Sequence, residues 1–489
     1  MSFLVFRSLM AKKGTLIDSS LIPLEPPATV EPPPTEEPPP PVLCTVCECT
    51  DKVVDCSSRG LRSSFSQEEW AGLKSTKFTE INLSGNFIEF LPQIQPELPI
   101  EVFNISNSRL ERVDDRCFKF LPNLTTLDLS KNKIITFDKG VFQGLLVPEL
   151  AKIRSFSKMR YLSLAHNELH TLPKDAFMFM QELTFLDLSW NPLGLIDQVV
   201  MGALTDLPLL KELRLSGCEL ESLPAGLLRR QRRLQRLDIS NNMFTTVPDV
   251  LAEAINLVYL NFNRNLITNL SEKTSISKLT KLKELHMCRN TKLQSIGPGA
   301  LGGLESLVTL WICNNPRLSV LHEDFLTWLD EHNKERRPLL KELYLHNNNL
   351  TEIDPDFLFR WDQLQLMDFS DNPYECDCDG QWMVDVLVPF IVNNGGSAAD
   401  MICNRPLELR GLSFAQLHQS ERTLKCDEAE SITASPPNTA IILGVMIGVF
   451  ATFPIVLVIV LLWKRGYFAK CRRKMNSEKT ESDEETDAF

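Results

Sequence analysis

The stretch LKELYLHNNNL at residues 340–350 has leucine at its positions 1, 4, 6 and 11 and asparagine at position 9. The same pattern, with other apolar residues in place of some leucines, recurs along residues 78–372, and nine of the 11 intervals are 22–27 residues long, the others being 33 and 35. The 12 copies open at Phe78, Ile100, Leu124, Met159, Leu183, Leu210, Leu234, Leu257, Leu282, Leu307, Leu340 and Leu364. A period of this length predicts stacked, similar units.

Each copy predicts one turn of a leucine-rich-repeat solenoid of the α/β class. The residues between the first and third leucines form a short strand, and the strands stack in parallel along the concave face. With ~4.8 Å between neighbouring strands, this ladder is roughly 50–60 Å long. Such a scaffold presents a surface, so we look for function in protein partners rather than in catalysis.

Position 9 of the repeat faces inward, where the coil bends and leaves backbone polar groups unpaired. An asparagine amide both donates and accepts hydrogen bonds there, which predicts a buried ladder from turn to turn. Ser108 and Cys218 take this position in two copies, and the other ten carry Asn86, Asn132, Asn167, Asn191, Asn242, Asn265, Asn290, Asn315, Asn348 and Asn372. Ten asparagines at one position disfavour the alternative, amphipathic helices that arose by chance.

Cysteine clusters flank the repeats. Cys44-x2-Cys47-x-Cys49-x6-Cys56 precedes them, and Cys376-x-Cys378 follows, with Cys403 and Cys426 further on. In these features the chain resembles extracellular leucine-rich-repeat, single-pass transmembrane proteins, with a layout similar to that of the trophoblast glycoproteins and of short-tailed neuronal members. The resemblance implies caps at 44–77 and 373–426, and the pairs Cys44–Cys49, Cys47–Cys56, Cys376–Cys403 and Cys378–Cys426. A zinc site is the weaker alternative.

Composition favours an extracellular repeat region. Eight of the 13 cysteines lie in the caps, so we expect folding in an oxidising compartment. N-glycosylation sequons agree with that location, among them our candidate sites Asn104, Asn123, Asn269 and Asn349. The net charge of −12 argues against nucleic-acid binding.

An uncharged segment at residues 440–463 predicts one membrane-spanning helix, which would be ~36 Å long. Basic residues follow from Lys464, which predicts a cytosolic tail at 464–489 and a stalk at 427–439. We therefore expect a type I plasma-membrane protein with its repeats outside. Residues 1–43 are rich in proline and predict a disordered spacer. Because Met1–Met10 make a poor signal peptide, we expect a truncated start or a nonstandard signal.

The concave face carries our candidate ligand-binding residues. Positions 2, 3, 5, 7 and 8 of each repeat point onto it, and exposed rings beside arginines are typical of binding hot spots. The candidates are Tyr161, Phe185, Trp190, Arg236, Tyr259, Arg264, His286, Trp311 and Tyr344, with His166 and His346 among them. The alternative is that these rings only cover neighbouring side chains. A glycan on Asn104 would obstruct the early repeats, so we expect contacts from the fourth repeat onward.

The remaining cysteines and the long repeats carry further expectations. Cys288 and Cys313 share position 7 of consecutive repeats, about 5 Å apart, so we predict a disulfide, with two free thiols as the alternative. Cys117 and Cys218 should be buried and inert. Two repeats contain insertions, at 146–158 and 326–338, and the second reads as a short amphipathic helix.

The tail suggests three weaker hypotheses. Cys471 is a candidate for palmitoylation among basic residues. The C-terminal residues Thr486–Phe489 fit a PDZ partner. Gly444 and Gly448 form a GxxxG pair that would favour a homodimer.

No catalytic, nucleotide-binding or metal-binding constellation stands out, so we expect no enzyme activity, cofactor or metal. The sequence favours a cell-surface receptor or adhesion molecule that recognises an extracellular protein through the concave face. The resemblance implies the alternative, a Wnt-type antagonist that modulates a secreted signal, and a non-catalytic co-receptor is a weaker third reading.

Overall fold

The computed structural model describes residues 42–426, apart from 139, 143–156, 272–273 and 357–362, together with 457–458, 460–461 and 463–465. Within this part of the chain, a single sheet of 14 strands runs the length of the molecule. In order across the sheet the strands are Glu48–Cys49, Val53–Asp55, Glu80–Asn82, Val102–Asn104, Thr126–Asp128, Tyr161–Ser163, Phe185–Asp187, Glu212–Arg214, Arg236–Asp238, Tyr259–Asn261, Glu284–His286, Thr309–Trp311, Glu342–Tyr344 and Leu366–Asp368. The first two form an antiparallel hairpin, and each predicted repeat contributes one of the other 12.

The strands pair in parallel and in register, position by position. Leu213, Leu237 and Leu260, for example, are direct partners across three neighbouring strands. Each of the 12 repeat strands is three residues long, and its middle residue at position 4 is buried while positions 3 and 5 face the concave surface. Equal register means that every repeat position forms a column across the sheet, so the face is read column by column.

The interior of the coil is filled by the apolar residues of the repeats and by a run of aromatic rings. Trp70 and Phe103 have ring centroids 6.3 Å apart, and the series continues to Phe118, Phe142 and Phe177 at 6.1–6.4 Å. Rings at this spacing contribute edge and offset-stacked contacts beyond simple burial. One repeat alone could not bury them, so the core exists only when the turns stack.

The predicted asparagine ladder is confirmed. All ten asparagines at position 9 are buried. Asn132 shows the common arrangement: its Oδ1 accepts the N–H groups of Ser108 and Leu110 in the preceding turn, both at 3.1 Å, and its Nδ2 donates to the Ile105 and Leu129 carbonyls. One side chain thus satisfies four backbone groups at the bend.

Repeats nine and ten depart from the predicted pattern. Their inward leucines, Leu293 and Leu318, come at position 12 instead of position 11, and both are fully buried. Each bend therefore holds one extra residue. The Nδ2 atoms of Asn290 and Asn315 have no hydrogen-bond partner among the described residues, because the longer bend alters the usual arrangement.

Helices and minor sheets occupy the outer side and the ends. The α-helices of the described residues are Gln67–Gly72, Gln198–Thr205, Val388–Asn393 and Phe414–Gln419, a π-helix covers Met383–Leu387, and 3-10 helices cover Val42–Thr45, Leu73–Ser75, Asp249–Glu253 and Ser275–Lys278. The minor sheets pair Phe90–Leu91 with Arg112–Val113, Asn269–Leu270 with Ser295–Ile296 and then Val320–Leu321, Trp328–Leu329 with Glu335–Arg336, and Tyr374–Glu375 with Cys403–Arg405.

Disulfides close both ends of the coil. The structure contains Cys44–Cys49 and Cys47–Cys56 at the front and Cys376–Cys403 and Cys378–Cys426 at the back, the pairs that the resemblance implied. At the front, Trp70 is fully buried beneath the cap, on a helix whose first turn is closed by Ser66 and Glu69. Cap and disulfides together shield the end turns of the core from water.

Two sequence predictions are wrong in detail. Residues 326–338 do not form an amphipathic helix but an antiparallel hairpin, because Asp330 accepts the backbone N–H groups of His332 and Lys334 and closes a turn. These side-chain-to-backbone hydrogen bonds stabilise a turn, although the spacing of the apolar residues is compatible with a helix. Val42 and Leu43, which we assigned to the spacer, belong to the 3-10 helix Val42–Thr45, and Leu43 is buried.

Other predicted segments lie outside the described residues: 1–41, most of the insertion at 146–158, Gly444, Gly448, Cys471 and the C-terminus. Only 457–458, 460–461 and 463 of the proposed span are described. Among the residues that the structure describes, no helix has the length and apolar character needed to cross a membrane.

Candidate protein-binding surface

Position 5 of the repeat normally serves the backbone. In seven repeats an Asp or Asn side chain here accepts the N–H of position 7 at 2.9–3.2 Å: Asn82, Asn104, Asp128, Asp187, Asp238, Asn261 and Asp368. Such a turn supports the chain where it leaves the strand. Most of the position-5 column is therefore structural.

Repeats nine to eleven replace this support with aromatic rings. His286, Trp311 and Tyr344 occupy position 5 on consecutive strands. The His286 and Trp311 rings stack with centroids 5.7 Å apart, and the Trp311 and Tyr344 rings stack at 3.6 Å. Tyr259, from position 3 of the eighth repeat, contacts His286 at 5.2 Å and completes a row of four rings, which we call the ring row.

A disulfide lies beside the ring row. Cys288 and Cys313 stand at position 7, two residues beyond His286 and Trp311, and they are bonded with their Cα atoms 4.5 Å apart. Ser84, Ser106 and Ser130 hold the same position in early repeats. The bond thus links two of the three consecutive ring-bearing repeats that lack the usual turn-closing side chain.

Carboxylates lie beside the ring row, at position 3 in repeats nine and eleven and at position 5 in repeat twelve. Glu284 contacts His286 Nε2 at 2.7 Å, and Asp368 lies 3.0 Å from His346 Nδ1. Burial and, next, the charge of Glu342 raise the pKa of Tyr344 above its usual range. The tyrosine hydroxyl is therefore neutral at physiological pH, and it is hydrogen-bonded to the Glu342 carboxylate.

The other predicted binding residues on the strands are connected to the ring row through arginine contacts. Tyr161 and Phe185 stack at 4.3 Å on neighbouring strands, and Arg214 covers Phe185 with its guanidinium 4.9 Å from the ring centroid. Arg236 covers Tyr259 at 3.9 Å and also pairs with Glu212 at 3.7 Å. These arginines are held by neighbours and are less available to a ligand than the sequence suggested.

Position 8 adopts left-handed backbone geometry in all 12 repeats, with φ between +52° and +71°. Seven repeats place Gly, Asn or Asp there, the residues that tolerate this geometry best. The exceptions are Lys131, His166, Trp190, Arg264 and Arg289. His166 and Trp190, which we expected beside Tyr161 and Phe185, thus lie on this edge of the face and stack on each other at 5.6 Å.

An open groove of about 740 Å³ follows the same edge across repeats five to eleven. Trp190 forms one end and Asn347 the other, with Arg264 and Arg289 between them. Thr291 and Pro316, which belong to the longer bends of repeats nine and ten, form part of its wall. Sequence reasoning missed this groove and Arg289, although aligning the repeats on position 8 would have shown the unusual residues.

The predicted glycosylation sites differ in exposure. Asn104 is half-buried on the concave face and its Oδ1 accepts the N–H of Ser106. Asn269 and Asn349 are exposed, whereas Asn123 is half-buried and accepts from Lys158. We propose that Asn269 and Asn349 are the more accessible glycan acceptors.

One group of side chains among the described residues could approach a metal ion, namely His322, Glu323 and Asp324. His322 Nδ1 already accepts the N–H of Asp324, and Asp324 pairs with Arg337. These contacts account for the cluster as a local polar network.

Comparisons with known proteins identify the repeats. The Leucine rich repeat family matches residues 99–147, 152–193 and 255–316, and a second Leucine Rich Repeat profile matches 233–253 and 339–361. The chain is 26% identical to Podocan-like protein 1 of Mus musculus over 343 residues, which is 58% of each protein. It is 27% identical to Trophoblast glycoprotein of Macaca fascicularis over 297 residues, 58% of this chain and 59% of that protein.

The matched region therefore spans less than two thirds of these relatives. Among solved structures, one chain in the octameric complex of Latrophilin 3, Unc5D and FLRT2 aligns with a TM-score of 0.44 and 19% identity, over 76% of this chain and 96% of that one. The repeat matches, the strand register and the asparagine ladder agree, and they show that this chain contains leucine-rich repeats and folds as their solenoid.

Proposed function

We propose that this chain is a cell-surface receptor or adhesion molecule that recognises an extracellular protein through the concave face of its repeats. The observation that carries the proposal is the ring row of Tyr259, His286, Trp311 and Tyr344, four stacked or tilted rings on the accessible side of the sheet. Rings held in fixed positions lose little side-chain freedom on binding, which suits them to anchor a partner.

The surroundings of the ring row support a binding role. Trp311 and Tyr344 stand where other repeats use Asp or Asn to close a turn, so the chain forgoes a local hydrogen bond to display a ring. Local rules that are broken without a structural gain are common at functional sites. The Cys288–Cys313 bond then fixes the strands that carry two of the rings.

We further propose that the repeats are held outside the cell by a helix at residues 440–463, with residues 464–489 in the cytosol. The support is the uncharged run of sequence followed by basic residues. On this topology Cys471 is available for palmitoylation and Phe489 for a PDZ partner, and Gly444 and Gly448 could join two copies.

The test is capture of the partner by the full chain on living cells. Proximity labelling from the wild-type chain identifies the bound protein, and the Trp311→Ala/Tyr344→Ala variant is compared with it. We expect that variant to reach the cell surface and to lose partner binding. The matched control is Phe87→Ala/Phe90→Ala, which removes two exposed rings from another part of the molecule. Equal loss in both variants, or in neither, would remove the ring row from consideration.

The alternative is a modulator that captures a secreted, Wnt-type signal, which is the function that the resemblance in sequence layout implied. Cell assays separate the two functions. Aggregation of cells that express the chain supports adhesion. A changed Wnt response without aggregation supports the modulator.

A further inference from the structure

We propose that the groove along position 8 binds an extended acidic segment of the protein ligand, with Arg264 and Arg289 pairing with its carboxylates. The proposal rests on the proposed function, since it assigns a chemistry to one part of the partner. The groove and the ring row are neighbouring parts of the concave side. The ring row lies on the strands, whereas position 8 lies in the turn that follows each strand.

Three bulky residues that line the groove have left-handed backbone geometry. Trp190, Arg264 and Arg289 have φ values of +59°, +56° and +60°. Every residue except Gly is disfavoured there, because its Cβ crowds the following carbonyl group, and Asn and Asp offset part of that cost with the local hydrogen bonds of their short polar side chains. Bulky residues kept in such a conformation call for an explanation other than folding.

The side chains of the two groove arginines have no partner in the described part of the chain. Within the described residues, the side chains of Arg264 and Arg289 make no hydrogen bond, ion pair or ring contact, and both are exposed. By contrast, Arg214 and Arg236, on the strands of repeats six and seven, are paired with Glu212. In a chain of net charge −12, two unpaired guanidinium groups side by side are available for a carboxylate.

Most of the residues that line the groove are polar. Among the described residues that line it there is no Asp or Glu, and on either side of the two arginines the half-buried Asn241 and Asn314 and the exposed Asn347 contribute amides. An amide both donates and accepts, so it can pair with the peptide groups of an extended chain. Carboxylate partners and peptide groups together define an acidic polypeptide rather than a neutral one.

The groove lies next to the ring row. Asn314 approaches His346 at 3.5 Å between Nδ2 and Nε2, and His346 is two residues from Tyr344. The two surfaces are therefore continuous. Glu284 and Glu342 border the ring row on its other side, so the face is acidic at position 3 and basic at position 8. A partner with an acidic segment can bind in only one orientation.

Trp190 closes one end of the groove. Its ring lies over Gly217, where an added Cβ would come within 2.7 Å of the indole. The absence of a side chain at Gly217 lets the indole lie flat, and 47% of Trp190 remains exposed. A flat, accessible ring at the end of a basic groove offers an apolar contact to the segment beyond its acidic residues.

The experiment measures fluorescence anisotropy of a labelled eight-residue peptide of alternating Glu and Ser, titrated with the purified full chain. A peptide of alternating Gln and Ser is the uncharged match. We expect the Glu peptide to bind at least about tenfold more tightly, and the Arg264→Gln/Arg289→Gln chain to lose at least about tenfold in affinity for it. The control, Arg232→Gln/Arg233→Gln, removes the same charge from two exposed arginines outside the groove and should leave binding unchanged.

Three results would overturn the proposal: equal binding of both peptides, no loss in the groove variant, or the same loss in the control. A heparin-derived octasaccharide is the competing probe. If it binds more tightly than the Glu peptide and depends on Arg264 and Arg289, the groove takes a sulfated glycan and the peptide proposal fails. The Trp311→Ala/Tyr344→Ala chain should still bind the Glu peptide, so failure of the ring row and failure of the groove are separate outcomes.

Discussion

At position 5 of most repeats a short polar side chain closes a turn on its own backbone, and at position 8 the backbone is left-handed. These two local requirements restrict the concave face to Asp, Asn and Gly over much of its length. Rings at position 5 and arginines at position 8 therefore stand out physically as well as in composition. Both departures meet in repeats eight to eleven.

The cost of a bulky residue at position 8 can be measured away from the binding surface. Lys131 has a φ of +54° and is exposed. Replacing it with Asn should stabilise the protein by about 0.5–1 kcal/mol, because Asn tolerates this geometry better. Denaturant unfolding of Lys131→Asn measures the gain. Lys133→Asn, two residues away and without positive φ, is the control; an equal gain there would refute the backbone explanation.

The two unpaired cysteines of the repeats should be chemically silent in the folded state. Burial raises the pKa of the Cys218 thiol to about 12, and burial together with nearby Asp114 raises that of Cys117. Because the thiolate is the reactive form, we expect no alkylation of either residue in native protein at pH 8. Peptide mapping after labelling with and without denaturant checks this, and native labelling of Cys218 would contradict its burial.

At the scale of the single element, the repeat was predictable where one residue type recurs at one position. Leucine at position 4 and asparagine at position 9 predicted strand, register and ladder, because burial in a stacked coil permits few alternatives. The hairpin at 326–338 was not predictable from periodicity, since the turn bonds of Asp330 decide it. The extra residue in repeats nine and ten was also missed, because the leucine shifts by only one place.

The Cys288–Cys313 bond should contribute to the stability of these two repeats. Cys288→Ser/Cys313→Ser restores the serine that several other repeats have at position 7. The bond closes a loop of 25 residues, so its loss should cost about 3 kcal/mol. A lower midpoint in thermal unfolding is the expected result. An unchanged midpoint would mean that the bond restrains neither the folded nor the unfolded chain.

The asparagine ladder should be worth more than any surface amide. Asn242 accepts from Cys218 and Leu220 and donates to the Leu215 and Ile239 carbonyls, all buried. Asn242→Ala leaves these groups unpaired and should destabilise the protein by about 2–4 kcal/mol. Asn256→Ala, which removes hydrogen bonds near the surface, should cost less than about 1 kcal/mol. Similar losses in denaturant unfolding would contradict the ladder's role.

At the scale of the whole molecule, the structure is a coil capped at both ends whose concave face changes character along and across its length. The aromatic part of the face was predictable from columns of sequence, since strand residues alternate between core and surface. The groove was not, because a left-handed turn and an unpaired arginine depend on backbone geometry and on neighbours. Arg236 shows the same point in reverse: it looked available in the sequence, but Glu212 and Tyr259 hold it.

On the proposed function, the concave face of repeats eight to eleven contacts the protein partner. Photo-cross-linking tests it most directly, with a benzophenone side chain placed at Thr309, beside Trp311 on the same strand, or at Phe87, an exposed ring in the first repeat. Full chains carrying each probe are irradiated on living cells that supply the partner. If this face binds the partner, the probe at Thr309 forms a covalent adduct with an extracellular protein and the probe at Phe87 forms none. An adduct from Phe87 alone would contradict it.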